Sequence, residues 1–358
     1  MQKKQLLFFY FLLSSFISIF AQLSTTHYIP PITSNNFDIS EQFIYISTPS
    51  TANVSFTIKT IGNPANDYFG TVSKNNPFLY RIVETGEDPG DAGATLDTDG
   101  DSQLAISELL SNTVITDRGY KIEASDVVYV SVRFRSSEPN LFQAGALVSK
   151  GLSALGTEFR AGGMAQENAI NAIPGYLTYV SVMATEDNTT VVFDDFSPGI
   201  DIINYTGGAT PININLDEGE SYLIAVSVDE GGTPNDLIGT RITSDKSIVV
   251  NSGSGTGSFA DGFQGRDFGI DQIVGSDKVG NEYIFVKGNG GNGNGNEWEN
   301  VLIIANTDNT NVFVNDATTP SYNLANAGDW VVIEGDEYSI DGNMYVQTSN
   351  DVFAYQGI

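Results

Sequence analysis

Residues 97–108 read Asp-Thr-Asp-Gly-Asp-Ser-Gln-Leu-Ala-Ile-Ser-Glu, with oxygen-bearing side chains at loop positions 1, 3 and 5, an aliphatic at 8 and a glutamate at 12. This is the spacing of an EF-hand-type calcium loop. Ca²⁺ takes about 6–8 oxygens, which alternate carboxylates, the carbonyl of position 7 and a bidentate terminal Glu can wrap around it. Asp97, Asp99, Asp101 and Glu108 are the expected side-chain ligands, and Gln103 offers its carbonyl. Four carboxylates this close repel one another unless a cation sits among them. Two departures point the other way, towards a solvated acidic loop. Ser102 stands at position 6, where the sharp turn prefers glycine, and no helical pattern precedes Asp97.

Other chemistry is thinner. His27 is the single histidine, has no companion serine motif and reads as an ordinary surface or strand residue. Arg133 and Arg135 lie on one face of a strand and, with Lys150 and Arg160, form a possible anion site; in a chain with 44 acids internal ion pairs are the expected use. Trp298 and Trp330 have rings that stack on sugars, but Trp330 sits in an alternating strand and is expected in the core. Gly288 to Asn296 alternates Gly and Asn without the Asp of calcium-binding β-rolls, and reads as a surface loop.

Composition narrows the functions further. The 358 residues contain no Cys, which removes disulfides, thiolate metal sites and cysteine nucleophiles, and one His removes any multi-histidine centre. The formal net charge of −28 opposes binding to nucleic-acid phosphates and anionic headgroups. No nucleic-acid partner is expected. With 41% hydrophobic and 11% aromatic residues the chain has enough apolar surface to fold.

Lys3 and Lys4 precede an uncharged run from Leu6 to Ala21, a run too short for an ordinary membrane span and closed by a small residue. Residues 1–21 therefore read as a signal peptide, with the mature chain beginning at Gln22. Loss of two lysines leaves 14 basic and 44 acidic residues, a net charge of −30. No second apolar run reaches spanning length, so the processed protein is expected to be secreted or at the cell surface and not integral to a membrane.

The elements that must position these groups are strands. Short runs rich in Val, Ile, Tyr, Phe and Thr, such as Phe43–Ser47, Val127–Phe134, Tyr176–Met183, Ser247–Asn251 and Val301–Ala305, are punctuated by Gly, Asn, Asp and Pro. Only Ser102–Leu110 suggests a helical turn. The fold class is all-β and antiparallel, because the connections are too short and polar for crossover helices. Met183-Ala-Thr-Glu-Asp-Asn-Thr-Thr-Val191 recurs 121 residues later as Ile304-Ala-Asn-Thr-Asp-Asn-Thr-Asn-Val312, and Gly219-Glu-Ser-Tyr222 is echoed at Gly328-Asp-Trp330. A fainter copy spans Ile44–Val54 and Ala124–Val128. About three repeated β units follow, at 22–156, 157–280 and 281–358, the last truncated, packed as tandem sandwiches or as propeller-like blades. The Asp-Asn-Thr elements read as structural hairpin turns, with Asp187 and Asp308 in turn roles.

Five elements in order, Tyr28-Ile-Pro-Pro-Ile32, Ile44–Pro49, Lys150–Arg160, Thr185–Thr190 and Ile242–Val249, resemble the N-terminal domain of IgG-Fc-binding proteins. That family occurs in mucus-associated animal proteins and in many surface proteins of gliding bacteria. The resemblance implies an extracellular binding or adhesion module, not an enzyme, and in bacteria export through a C-terminal sorting domain, which this sequence lacks. It carries over no catalytic residues and does not imply that antibody is the ligand. The expected function is a non-catalytic, calcium-stabilised module for a glycan, mucin or host protein. The alternative is a secreted carbohydrate-active enzyme that uses two carboxylates.

Overall fold

The computed structural model describes residues 22–34, 39–97, 103–136, 143–165, 175–258, 267–288 and 299–357. Period-2 runs bounded by turn residues become strands throughout, and the described residues contain no α-helix. No described helix is long and apolar enough to cross a membrane.

The first unit contains β1 (Ser24–Ile29), β2 (Ile32–Ser34), β3 (Ile39–Ser47), β4 (Val54–Thr60), β5 (Tyr68–Val72), β6 (Phe78–Arg81), β7 (Ala105–Ser107), β8 (Val114–Ile115), β9 (Tyr120–Ser136) and β10 (Ala144–Ser149). The second contains β11 (Gly156–Arg160), β12 (Leu177–Ala184), β13 (Thr189–Asp194), β14 (Ile212–Leu216), β15 (Ser221–Ser227), β16 (Arg241–Gly257) and β17 (Asp267–Ile273). The third contains β18 (Gly280–Val286), β19 (Val301–Ala305), β20 (Thr310–Val314), β21 (Tyr322–Leu324), β22 (Trp330–Ile333) and β23 (Asn343–Gln356).

One topology is used three times. The long strands β9, β16 and β23 each serve two sheets. The first half of each pairs with β1, β11 or β18 on one side and with β4, β13 or β20 on the other. The second half pairs with β3, β12 or β19. The next positions outward are taken by β5, β14 or β21 and by β6, β15 or β22, and β8 pairs with β15 as the edge of the second unit's sheet. β10 and β17 flank the second half of β9 and β16, and among the described residues the third unit has no counterpart. Each unit is thus built on one long strand whose two halves carry different antiparallel neighbours, as nearly closed barrel-like sheets consistent with repeated β units.

The sequence pattern shows only part of these strands, as Val127–Phe134 within β9 and Ser247–Asn251 within β16. The reason lies in the polar middles, Ala124-Ser-Asp126, Ser244-Asp-Lys-Ser247 and Ser349-Asn-Asp351, which look like turns but carry the strand from one sheet to the other. Each middle caps the neighbouring strand: the amides of Ser55, Thr190 and Asn311 donate to Ser125 Oγ, Asp245 Oδ1 and Ser349 Oγ at 3.0, 2.8 and 2.9 Å. The helical turn expected at 102–110 is instead β7 followed by a single 3₁₀ turn, Glu108–Leu110.

Asp187 and Asp308 act as turn residues. Asp187 Oδ1 accepts from Glu218 N at 3.1 Å and Asp308 Oδ1 from Ala327 N at 2.8 Å, while Asn188 and Asn309 adopt φ of 53° and 57°. Asn tolerates this left-handed conformation because its short polar side chain bonds locally.

Successive units lie one against the next. Tyr28 of β1 is buried against Met183 of β12 and Val249 of β16, and Asn251 Nδ2 donates to Pro30 O at 3.4 Å. One unit further on, Tyr355 Oη donates to Arg160 O at 2.8 Å, and Ile304 and Phe353 pack with Ile238 and Ala165. Both junctions therefore place the long strand of the later unit over the first strand of the earlier one.

Candidate functional site

The expected ligand residues begin in a buried position. Asp97 is 6% exposed and its amide donates to Ile82 O at 3.2 Å, tying the start of the 97–108 loop to the end of β6. Gln103 is anchored from the other side. Its Nε2 donates to the carbonyls of Ile61, Asp117 and Gly119 at 2.9, 3.1 and 3.3 Å, which leaves its amide oxygen outside those bonds. Glu108 opens the 3₁₀ turn, where Ser107 Oγ accepts from Leu109 N. Asp99 and Asp101 lie outside the described residues, and among the described residues no three His, Asp or Glu side chains gather at metal-binding distance.

Asp97 and Gln103 line a cavity of about 460 Å³ in the first unit. Three tyrosines form its wall: Tyr68 from β5, Tyr80 from β6 and Tyr120 from the start of β9. Alternation along each strand turns these rings to the same side, and they continue a ladder that starts in the core. Phe56 meets Phe78 at 5.2 Å, Phe78 stacks on Tyr68 at 5.1 Å, Tyr68 meets Tyr80 edge-on at 5.6 Å and Tyr80 meets Tyr120 at 5.8 Å. Gly70 makes room for the ladder, because a side chain there would strike the Phe56 ring at 2.4 Å.

The polar lining is acidic. Asp67, Glu84, Glu87 and Asp97 line the cavity, and among the described residues no Lys or Arg does. Asp67 Oδ1 is held by Thr60 N at 2.9 Å. Burial pushes the phenols of Tyr80 and Tyr120 above their ordinary range, that of Tyr120 well above it, so both remain neutral hydroxyls at physiological pH. Neutral phenols, aromatic faces and carboxylates together accept hydrogen bonds from hydroxyl groups, stack on sugar rings and attract cations.

The expected basic cluster does not assemble. Arg135 forms a two-pronged pair with Glu41 at 3.1 and 2.5 Å, Lys150 binds Asp271 at 2.5 Å and Arg160, 2% exposed, binds Asp195 at 3.0 Å. These are internal pairs, as the excess of acids suggested. Arg133 differs, lying 5.3 Å above the ring of Tyr45. Trp330 is partly buried and packs at the junction of the second and third units. Trp298 and most of Gly288–Asn296 lie outside the described residues.

His27 is a strand residue of β1 and not a surface one. It is 0% exposed, with Nδ1 2.9 Å from Ser149 Oγ and Nε2 3.0 Å from Val128 O. Burial lowers its pKa to about 4. The tyrosine cavity was also missed, because Tyr68, Tyr80 and Tyr120 share no local spacing and meet only through strand pairing.

The carboxyls that burial raises, Asp236 and Asp267, lie on different elements, and neither lines the cavity. No curated protein and no solved structure matches the chain. A family model described as IgGFc binding protein matches residues 145–358, from the last strand of the first unit through the whole third unit, and with more than half its length matched the chain belongs to the IgGFc binding protein family.

Proposed function

We propose that the protein is an extracellular, non-catalytic binding module for a glycan, a mucin or a host protein, stabilised by Ca²⁺ at the 97–108 loop. Membership of a binding-protein family carries this reading. The cavity supports it, since three tyrosines and four carboxylates suit a polyhydroxylated ligand. The anchoring of Asp97 and Gln103 supports the calcium site, because both flank the acidic residues that the loop spacing nominates.

A glycan and mucin array, with immunoglobulin Fc included as one protein ligand, tests the function on residues 22–358 with calcium and with chelator. Binding that weakens on chelation is expected, since calcium bridges an acidic module to an acidic polymer. Hydrolysis of a polysaccharide that is lost when cavity carboxylates are changed to amides would overturn the reading in favour of the enzyme.

The calcium site has its own test. A metal bound only to the folded state stabilises it by RT ln(1 + [L]/Kd), about 2.7 kcal/mol at a hundredfold excess over Kd. Asp97→Ala and Glu108→Ala are expected to lower Tm in calcium and to change it far less in chelator. Wild-type melting curves that coincide in calcium and chelator would rule the site out.

A further inference from the structure

The junction between the second and third units encloses a cleft of about 460 Å³, within the roughly 300–1,000 Å³ typical of small-ligand pockets. One wall is the loop after β13, with Asp195 and Phe196. The other is the β21–β22 turn, with Asn323 at its start and Asp329 and Trp330 at its end. No residue of this cleft lines the tyrosine cavity.

The repeat shows that a tryptophan is not required to close a junction. Ile304 pairs with Trp330 as Met183 pairs with Ser221, so Ser221 is the counterpart of Trp330, and Gly219 and Glu220 are those of Gly328 and Asp329. The backbone of the turn is the same twice. Gly219 and Gly328 have φ of 85° and 87°, and their amides donate to Ala184 O and Ala305 O, each at 2.9 Å. At the first junction a fully buried serine suffices. At the second an indole stands in its place and is only partly buried, forgoing part of the hydrophobic gain of burial. It packs on the cluster of Ile238 and Ile304, which holds the ring, and it also lines the cleft.

The polar groups beside the ring are acceptors with capacity to spare. Asp195 uses Oδ2 for Arg160 Nη1 at 3.0 Å, with Arg241 Nε 3.7 Å away, and Asp329 uses Oδ2 for the amide of Asn326 at 2.8 Å. Asn323 donates its Nδ2 to Asn311 Oδ1 at 2.9 Å. The Oδ1 atoms of all three residues lie outside those bonds. Because two arginines already answer the charge of Asp195, the cleft suits hydroxyl donors better than a further cation.

We propose that this cleft binds a neutral sugar ring, its C–H face stacked on Trp330 and its hydroxyls donating to Asp195, Asn323 and Asp329. The proposal rests on the binding-module reading above and narrows the ligand to a glycan, at a site distinct from the tyrosine cavity.

Trp298 and Trp330 are the only tryptophans, so fluorescence reads the contact directly. In a Trp298→Phe variant of residues 22–358, titration with glucose, galactose, mannose, N-acetylglucosamine and their oligomers is expected to give a saturable change in Trp330 emission that raised salt does not abolish. Calorimetric titration of the best saccharide then compares variants. Trp330→Ser, which installs the residue of the first junction, is expected to abolish binding. Asp329→Asn keeps an oxygen for the Asn326 amide and replaces only the other one, so the turn is retained and affinity is expected to fall about tenfold. Saccharide binding that survives both substitutions would overturn this cleft and leave the binding-module reading standing. A wild-type chain that binds no saccharide, or a Trp330 that responds to a lysine-rich peptide and to no sugar, would overturn the proposal as well.

Discussion

Gly239→Ala is expected to destabilise the protein by about 3 kcal/mol or more and to split its unfolding into separate steps. Gly239 has φ of +87°, where an alanine costs roughly 1–2 kcal/mol on backbone sterics alone. Its surroundings add more. A Cβ there would lie 2.1 Å from the carbonyl oxygen of Gly328, a backbone atom that no rotamer change can move. Gly239 also ties the second unit together, its amide donating to Ala161 O and its carbonyl accepting from Arg160 Nη1, each at 2.9 Å. Relieving the clash opens the junction between the second and third units and leaves the buried Arg160 guanidinium with Asp195 alone among these two partners. Gly199→Ala is the control, since Gly199 has φ of +85° with no atom within 4 Å of the added carbon. Urea denaturation of the two variants separates strain from collision. Equal losses for both would show that the junction does not depend on this close approach.

What could be read from the sequence divides along physical lines. The repeat is visible because its turns have a local chemistry: Asp-Asn-Thr needs a left-handed Asn and an Asp carboxylate that accepts from an amide of the neighbouring loop, and both recur at a fixed spacing. The long strands are not, because a strand crossing between sheets has a polar middle that local patterning cannot tell from a turn. The burial of His27 was hidden for a related reason. Its register counterparts are Phe159 and Tyr283, both directed inwards, but the first strand of each unit lies outside the segments whose similarity reveals the repeat. The tyrosine cavity depends wholly on pairing between distant segments. The loop at 97–108 is the reverse case, since spacing alone nominates candidate ligands there, two of which, Asp99 and Asp101, lie outside the described residues.

Lowering the pH from 6.5 to 5 is expected to cost about 2 kcal/mol of stability through His27 alone, rising to about 3 kcal/mol near pH 4. The folded protein holds this imidazole neutral. With the proton on Nε2 it donates to Val128 O, and Nδ1 accepts from the Ser149 hydroxyl, while Gln272 Oε1 keeps the amide of Lys150 at 2.8 Å. Protonation would place a charge among buried groups, and burial therefore lowers the folded pKa from 6.5 to about 4. Between these values the unfolded chain binds the extra proton and the folded one does not. Stability is accordingly complete above pH 6.5 and falls as the pH drops towards 4. The interval from 6.5 to 5 isolates this residue, because the chain has one histidine and its many carboxylates titrate chiefly below that range. His27→Phe removes the titration while placing at this position the residue that its counterpart in the second unit, Phe159, already carries. The variant loses the contact with Ser149, so its absolute stability is not the readout. The readout is the slope of unfolding free energy against pH, expected to be steep in the wild type and nearly flat in the variant between pH 6.5 and 5. Equal slopes would mean that His27 takes up its proton in the folded state as readily as in the unfolded one, and that its burial among Ser24, Val128 and Ser149 is not maintained in solution.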